Sequence, residues 1–80
     1  MSNTEKLNSI FKDVFNVDEN SLNADFVNTN VEDWDSIHHL SLTGGIEEQF
    51  DILLDPEDVI EMISYDMCKE ILTDKYDVTF

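Results

Sequence analysis

Residues 34–50 read WDSIHHLSLTGGIEEQF, and this run decides the fold. At about 100° per residue, Leu42, Ile46 and Phe50 fall on one stripe of a helix. An apolar stripe at this spacing is typical of an amphipathic helix that packs against a helical core. We therefore predict a helix that ends near Phe50 and buries these three side chains.

The opposite face of this helix combines apolar and acidic residues. Ile37, Leu40 and Gly44 fall about opposite the core stripe, alongside Glu47 and Asp51. Apolar side chains beside carboxylates on an outward face are typical of a surface that docks proteins. The alternative is that Ile37 and Leu40 pack under the loop that precedes the helix. We expect the docking surface.

Ser36 lies at the start of the same helix, where either Asp35 or Ser36 itself is predicted to cap the first turn. A side chain at this place is exposed enough for another protein to reach its hydroxyl. The free N–H groups and positive dipole end of the helix suit a phosphate diester. Taken alone, however, Ser36 is explained more simply as a helix cap.

The segment before this helix predicts a first helix and a long loop. Apolar residues recur at helical spacing from Thr4 to Phe15, and Asn3 or Thr4 can cap the start. Residues 16–33 are rich in Asn, Asp, Ser and Thr, which predicts an ordered loop. Four isolated apolar residues are expected to pin this loop to the core: Val17, Leu22, Phe26 and Val31.

Two further helices are predicted after residue 50. Asp55-Pro56 is a cap and first-turn signal for a short helix over residues 56–62. Ser64 starts a fourth helix, and the tail is expected to fray from Asp74. The chain is therefore predicted to be one all-α domain over residues 1–80, a four-helix bundle with a long first loop and a short third helix. The inner face of the fourth helix is predicted to hold Met67, Cys68, Ile71 and Leu72.

The charge of the chain restricts its partners. The chain has nineteen Asp and Glu residues and only four Lys, and its net charge is −15. No cation occurs between Asp13 and Cys68, a stretch that holds fifteen carboxylates. This sign opposes nucleic acid and anionic membrane surfaces. It favours proteins with basic patches, although carboxylates that only keep a small protein soluble are an equal alternative.

Other bulk features favour a cytoplasmic protein, which we expect to be a monomer. The sequence has no apolar run near the ~18 residues of a membrane span and no N-terminal signal pattern. The single cysteine, Cys68, excludes an internal disulfide and a Cys-rich zinc site. Its apolar helical setting predicts a buried, inert thiol.

Two stretches together carry a family resemblance. Asp33-Trp34-Asp35-Ser36-Ile37-x-His39-Leu40, followed by Ile46-Glu47-Glu48-Gln49-Phe50-Asp51, resembles the prosthetic-group region of acyl carrier proteins. The family pattern is Asp-Ser-Leu, an apolar residue three further on, and an apolar-Glu-Glu-x-Phe run that closes the helix. The spacing from Ser36 to Phe50 matches without a gap. The layout of residues 55–58 and the Ser that opens the last helix also match.

The resemblance implies a carrier rather than an enzyme. A phosphopantetheinyl transferase would attach 4′-phosphopantetheine from coenzyme A to Ser36, and the thiol of this arm would carry acyl or aminoacyl groups as thioesters. Acyl-loading and acyl-transferring enzymes with basic patches would be the other partners. By the same likeness, Asp35 and Ile37 complete the attachment motif. The residues expected to contact partners are Ile37, Leu40, Glu47, Glu48 and Asp51.

Some residues depart from the fatty-acid carriers. His38 and Ser41 stand where those proteins often have acidic residues, and Gly44 stands where a larger apolar residue usually helps partners to dock. These departures disfavour a fatty-acid carrier. The run Trp34-Asp35-Ser36-Ile37-x-His39-Leu40 is more similar to stand-alone carriers of specialised pathways, including polysaccharide decoration, polyketide and peptide assembly. The Gly44-Gly45 pair costs roughly 1 kcal/mol per residue in a helix interior, relative to Ala. The pair either permits close approach of a partner or of a neighbouring helix, or is a tolerated weakness, and we favour weakness.

Other functions are also open to test. Ser36 and His39 lie three residues apart and could form a nucleophile–base pair, but no oxyanion site is visible. His38 and His39 match no standard metal-ligand spacing, and the default role of His39 is packing or hydrogen bonding. Residues 18–29 fail as an EF-hand, because they lack Gly at the sixth place and Glu at the twelfth. The main rival function is an unmodified acidic interaction module, such as an adaptor or a DNA mimic.

Overall fold

The computed structural model describes residues 2–80, which contain four α-helices and no strand. Helix α1 spans Asn3–Phe15, α2 spans Ser36–Phe50, α3 spans Pro56–Glu61 and α4 spans Tyr65–Tyr76. The predicted all-α class, the long first loop and the short third helix are confirmed.

The cap of α1 differs from the prediction. Ser2 caps the helix, where Asn3 or Thr4 was expected. The Ser2 hydroxyl accepts a hydrogen bond from the Glu5 N–H at 3.1 Å, and the Glu5 carboxylate accepts one from the Ser2 N–H at 3.2 Å. This reciprocal pair satisfies two N–H groups that the helix itself leaves without partners.

The core lies mainly between α1, α2 and α4. Leu42 and Ile46 have no exposed surface, so the predicted stripe of α2 is confirmed there. Phe50, the third member of the stripe, is only half-buried and contacts the ring of Phe80 at 6.2 Å between centroids. The other apolar side chains with no exposed surface are Leu7, Phe11, Met62, Cys68 and Leu72.

The long loop is attached to the rest of the domain, as predicted. Phe26 is buried and packs edge-on against Phe11, with ring centroids 5.6 Å apart. The Tyr65 N–H donates to the Phe26 carbonyl at 2.9 Å, and the Asn28 N–H donates to the Ile63 carbonyl at 2.8 Å. These bonds join the loop to the junction between α3 and α4. The other predicted anchors, Val17, Leu22 and Val31, are half-buried against the core.

Two predictions for the C-terminal region are wrong. Met67 is 37% exposed rather than on the inner face of α4. The tail does not fray from Asp74, because α4 continues to Tyr76 and Val78 is buried. The Val78 N–H donates to the Leu72 carbonyl at 3.1 Å, which returns the chain to the core after the helix ends. Burial of Cys68 is confirmed, and it raises the pKa of the thiol.

Helix α3 is held in place by a buried carboxylate. Asp58 has no exposed surface and accepts hydrogen bonds from Lys75 Nζ at 2.7 Å and Tyr76 Oη at 2.6 Å. The Tyr76 hydroxyl also accepts the Asp55 N–H at 2.9 Å. Bonds from Lys75 and Tyr76 lower the pKa of the Asp58 carboxyl. Because a helix of six residues is marginal by itself, these contacts to α4 fix its position.

Candidate functional site

Ser36 is the first residue of α2 and its side chain is exposed. The cap of this helix is Asp35, whose carboxylate accepts the His38 N–H at 2.9 Å. The sequence left Asp35 and Ser36 as alternative caps, and the structure selects Asp35. The Ser36 hydroxyl is therefore not required for capping and stands at the surface, where the long loop meets the helix.

The first turn of α2 is further fixed by His38. Its Nδ1 lies 2.8 Å from the Asp35 carboxylate, and its ring stacks on Phe15 of α1 at 5.9 Å between centroids. Hydrogen bonds from the His38 N–H and ring lower the pKa of the Asp35 carboxyl. Asp35 is thus an ionised cap, and the residue next to it, Ser36, has a defined backbone position.

His39 serves a structural role and does not act on Ser36. The Trp34 Nε1–H donates to His39 Nδ1 at 3.1 Å, which places the ring proton on Nε2. The Nε2–H then donates to the Val59 carbonyl at 2.6 Å. Because both ring nitrogens are engaged, His39 has no lone pair for a base that would activate the serine. The expected hydrogen-bonding role is confirmed.

An open cleft of about 560 Å³ begins at Ser36. Its apolar walls come from three separate parts of the chain: Trp34 before α2, Leu40 within α2, and Ile60 and Ile63 in and just after α3. Its polar lining consists of Asn28, Asp35, Ser36 and His39. Sequence reasoning missed Asn28, Ile60 and Ile63 as site residues. No local pattern marks them, because only the attachment of the loop to the α3–α4 junction brings them to Ser36.

The outward face of α2 is apolar and exposed, as expected. Ile37 is 75% exposed and Leu40 is 64% exposed, so neither packs under the long loop. A Cβ built on Gly44 meets no atom within 4 Å, which leaves a shallow depression on this face. Glu48 and Asp51 line it and are exposed.

Glu47 differs from the other predicted docking residues. It is half-buried, and its Oε2 accepts the Leu54 N–H at 2.9 Å. The Glu47 carbonyl also accepts the Ile52 N–H at 3.1 Å. This carboxylate therefore stabilises the turn that follows α2, and it is less free than Glu48 to meet a partner.

No group of three or more His, Cys, Asp or Glu side chains within residues 2–80 is arranged to hold a metal ion. Over the same residues, no helix has the length and apolar character that crossing a membrane requires. Comparisons with protein-family models, with curated proteins and with solved structures found no match to this chain.

Proposed function

We propose that this chain is a carrier protein of the acyl carrier type, with 4′-phosphopantetheine attached to Ser36. The observation that carries the proposal is the exposed Ser36 hydroxyl at the first position of a 15-residue helix that Asp35 already caps. A four-helix domain with a long first loop and a short third helix supports it, since that is the architecture expected from the resemblance. The arm would supply a thiol on which acyl or aminoacyl groups are held as thioesters.

The attachment reaction uses one oxygen of this chain. Ser36 Oγ attacks the phosphorus of coenzyme A that bears the pantetheine. A phosphodiester to the serine forms, the pyrophosphate bond breaks, and adenosine 3′,5′-bisphosphate leaves. The serine proton passes to a base of the transferase, which also brings magnesium. The position of Ser36 suits a phosphodiester, because the negatively charged group would lie at the positive N-terminal end of α2.

The outward face of α2 would receive the partner enzymes. Ile37 and Leu40 provide exposed apolar area next to the exposed carboxylates Glu48 and Asp51. With a net charge of −15, the chain is attracted to basic patches before contact, and salt weakens this attraction. The catalysis belongs to these enzymes, and the departures at His38, Ser41 and Gly44 favour a specialised biosynthetic pathway.

Intact-mass measurement tests the proposal. The chain is incubated with coenzyme A, magnesium and a transferase of broad specificity. We expect the mass of one phosphopantetheine to be added to the wild type and to Ser41→Ala, and none to be added to Ser36→Ala. Ser41 is the matched control because it is an exposed serine on the same helix. An unchanged wild-type mass in a folded sample would oppose the proposal.

The rival function is an acidic interaction module that needs no modification. The chain has nineteen acidic and four basic residues. This composition favours the rival function, because the negative charge is present whether or not an arm is attached. Such a module would bind a basic, nucleic-acid-binding protein equally well as wild type and as Ser36→Ala. A carrier would instead require Ser36 for every transfer of cargo.

A further inference from the structure

The depression at Gly44 is separate from the cleft at Ser36, and the two share no lining residue. It is open, with a volume of about 690 Å³, and has room for one long side chain. We call it the Gly44 depression. Its lining combines carboxylates with apolar side chains from the segment after α2: Gly44, Glu47, Glu48, Asp51, Ile52 and Leu53.

Gly44 keeps the depression open. Gly44, Glu48 and Asp51 are spaced four and three residues apart, so they follow one stripe of the helix surface. A Cβ at Gly44 meets no atom within 4 Å, and a larger side chain at this position would occupy the depression. Gly44 is also one of the positions at which the chain departs from the fatty-acid carriers. The residue is therefore suited to determine which partners fit this face.

The C-terminal end of α2 lacks the cation that the other two long helices have. The C-terminus of a helix carries negative partial charge, which a basic residue in the last turn offsets. Helices α1 and α4 have Lys12 and Lys75 in their last turns, whereas α2 has no basic residue there. Glu47, Glu48 and Asp51 instead add negative charge at this end. A cation from another molecule would therefore be attracted to it.

The lysines of the chain are engaged elsewhere. Two of them contact carboxylates and two lie over aromatic rings: Lys12 with Glu19, Lys75 with Asp58, Lys6 with Phe50 and Lys69 with Tyr65. Glu48 and Asp51 are exposed, and neither has an ion-pair partner among residues 2–80. Both carboxylates are thus available to a cationic side chain that enters the depression.

We propose that the Gly44 depression receives one arginine side chain of a partner protein. A guanidinium is planar and has five N–H donors, so it can bond to Glu48 and Asp51 together, which are neighbours on the helix surface. The apolar stem of the arginine packs on Leu53, which is 85% exposed. A lysine ammonium is a compact charge without this planar fork. The site does not depend on attachment at Ser36, because it serves a carrier and an unmodified module equally.

Titration of the isotopically labelled, unmodified chain with Nα-acetylargininamide, followed by NMR amide shifts, tests this site. Nα-acetyllysinamide is the matched ligand, because it has the same charge and is added at the same ionic strength. We expect the amide signals of Gly44, Glu48 and Leu53 to shift together. The arginine compound should bind about two- to fivefold more tightly than the lysine compound, which is the effect of one further exposed ion pair.

Two pairs of variants separate shape from charge. Gly44→Leu keeps every charge but fills the depression, so it should bind the arginine compound about two- to fivefold more weakly and lose the preference over lysine. Gln49→Leu is its control, because Gln49 is exposed on α2 and does not line the depression. Glu48→Gln should weaken binding by a similar factor. Glu32→Gln, which removes an exposed carboxylate of the long loop, should leave binding nearly unchanged.

Three results would overturn the arginine site and leave attachment at Ser36 intact. The first is the absence of a saturable shift at Gly44. The second is equal binding of the two compounds with shifts spread over the whole acidic surface, which would indicate general charge attraction. The third is an unchanged dissociation constant for the arginine compound in Gly44→Leu while the helical spectrum is intact.

Discussion

Gly44 and Gly45 are adjacent in the middle of α2, but an added side chain would meet opposite surroundings. A Cβ at Gly44 has no atom within 4 Å, whereas a Cβ at Gly45 lies 3.0 Å from Ile10 Cγ2 of α1. The alanine variants therefore test the packing of α1 against α2 with one methyl group each. The sequence alone treated the pair as one feature.

The expected changes in the free energy of unfolding differ: Gly44→Ala should raise it, and Gly45→Ala should leave it nearly unchanged or lower it. Gly44→Ala should stabilise the domain by about 0.8–1.0 kcal/mol, the helix preference for Ala over Gly. For a domain of this size, 1 kcal/mol raises the melting temperature by about 4–8 °C. Gly45→Ala has the same helix gain, but it forces a methyl against Ile10, which is only 5% exposed and has little room to move. Overpacking of this kind costs about 1–3 kcal/mol, so the net effect is near zero or destabilising.

Urea unfolding followed by circular dichroism measures the free energy of unfolding of both variants. We expect the free energy of unfolding of Gly44→Ala to exceed that of Gly45→Ala by about 1–3 kcal/mol, which is the size of the overpacking cost. The m-values of the two variants should be equal. Equal stability of the two variants would refute the close approach of α1 at Gly45. A loss of stability in Gly44→Ala would refute the open surroundings of Gly44.

Four further predictions concern charge and hydrogen bonding. Glu48→Lys should slow loading of the arm several-fold at low salt and weaken the salt dependence, with little change in stability; equal rates at low salt would contradict docking through this carboxylate. Glu47→Lys should instead lower the urea midpoint, since a turn N–H loses its acceptor, and an unchanged midpoint would show that the bond contributes nothing. The pKa of the Asp58 carboxyl is lowered by its partners, so its contribution is present above the unfolded pKa of about 3.9 and is lost as pH falls through the lower folded pKa. Asp58→Asn should therefore be less stable than the wild type at neutral pH, and this difference should shrink at about pH 3; a constant difference would contradict the ionised pair. His39→Ala should cost about 1–3 kcal/mol and shift the tryptophan emission to longer wavelength, because the indole N–H loses its acceptor; unchanged emission would argue against that bond.

The features that a single helix determines could be predicted from the sequence. The spacing of Leu42 and Ile46 against Ile37 and Leu40 separates buried from exposed residues in α2, because helix geometry alone assigns the two faces. The exposed start of this helix at Ser36 follows in the same way. The glycine pair was only half understood. Its tolerated weakness fits Gly44, while the close approach of a neighbour applies at Gly45.

The features that depend on distant contacts could not be predicted. Asp58 meets Lys75 from 17 residues away, and nothing in the local pattern pairs them. Val78 is buried because the chain turns back after α4, although the polar residues around it resemble a frayed tail. Asn28 reaches the cleft only through the bond between the loop and Ile63. Periodicity specifies faces of helices, but it does not specify which neighbour covers them.

Tandem mass spectrometry of the chain after treatment with coenzyme A, magnesium and transferase tests most directly whether the Ser36 oxygen is the proposed attachment point. We expect the modified fragment to contain Ser36 and every fragment without this residue to keep its unmodified mass. Modification at any other hydroxyl, or a complete absence of modification while the helical spectrum is intact, would contradict the assignment of this surface serine.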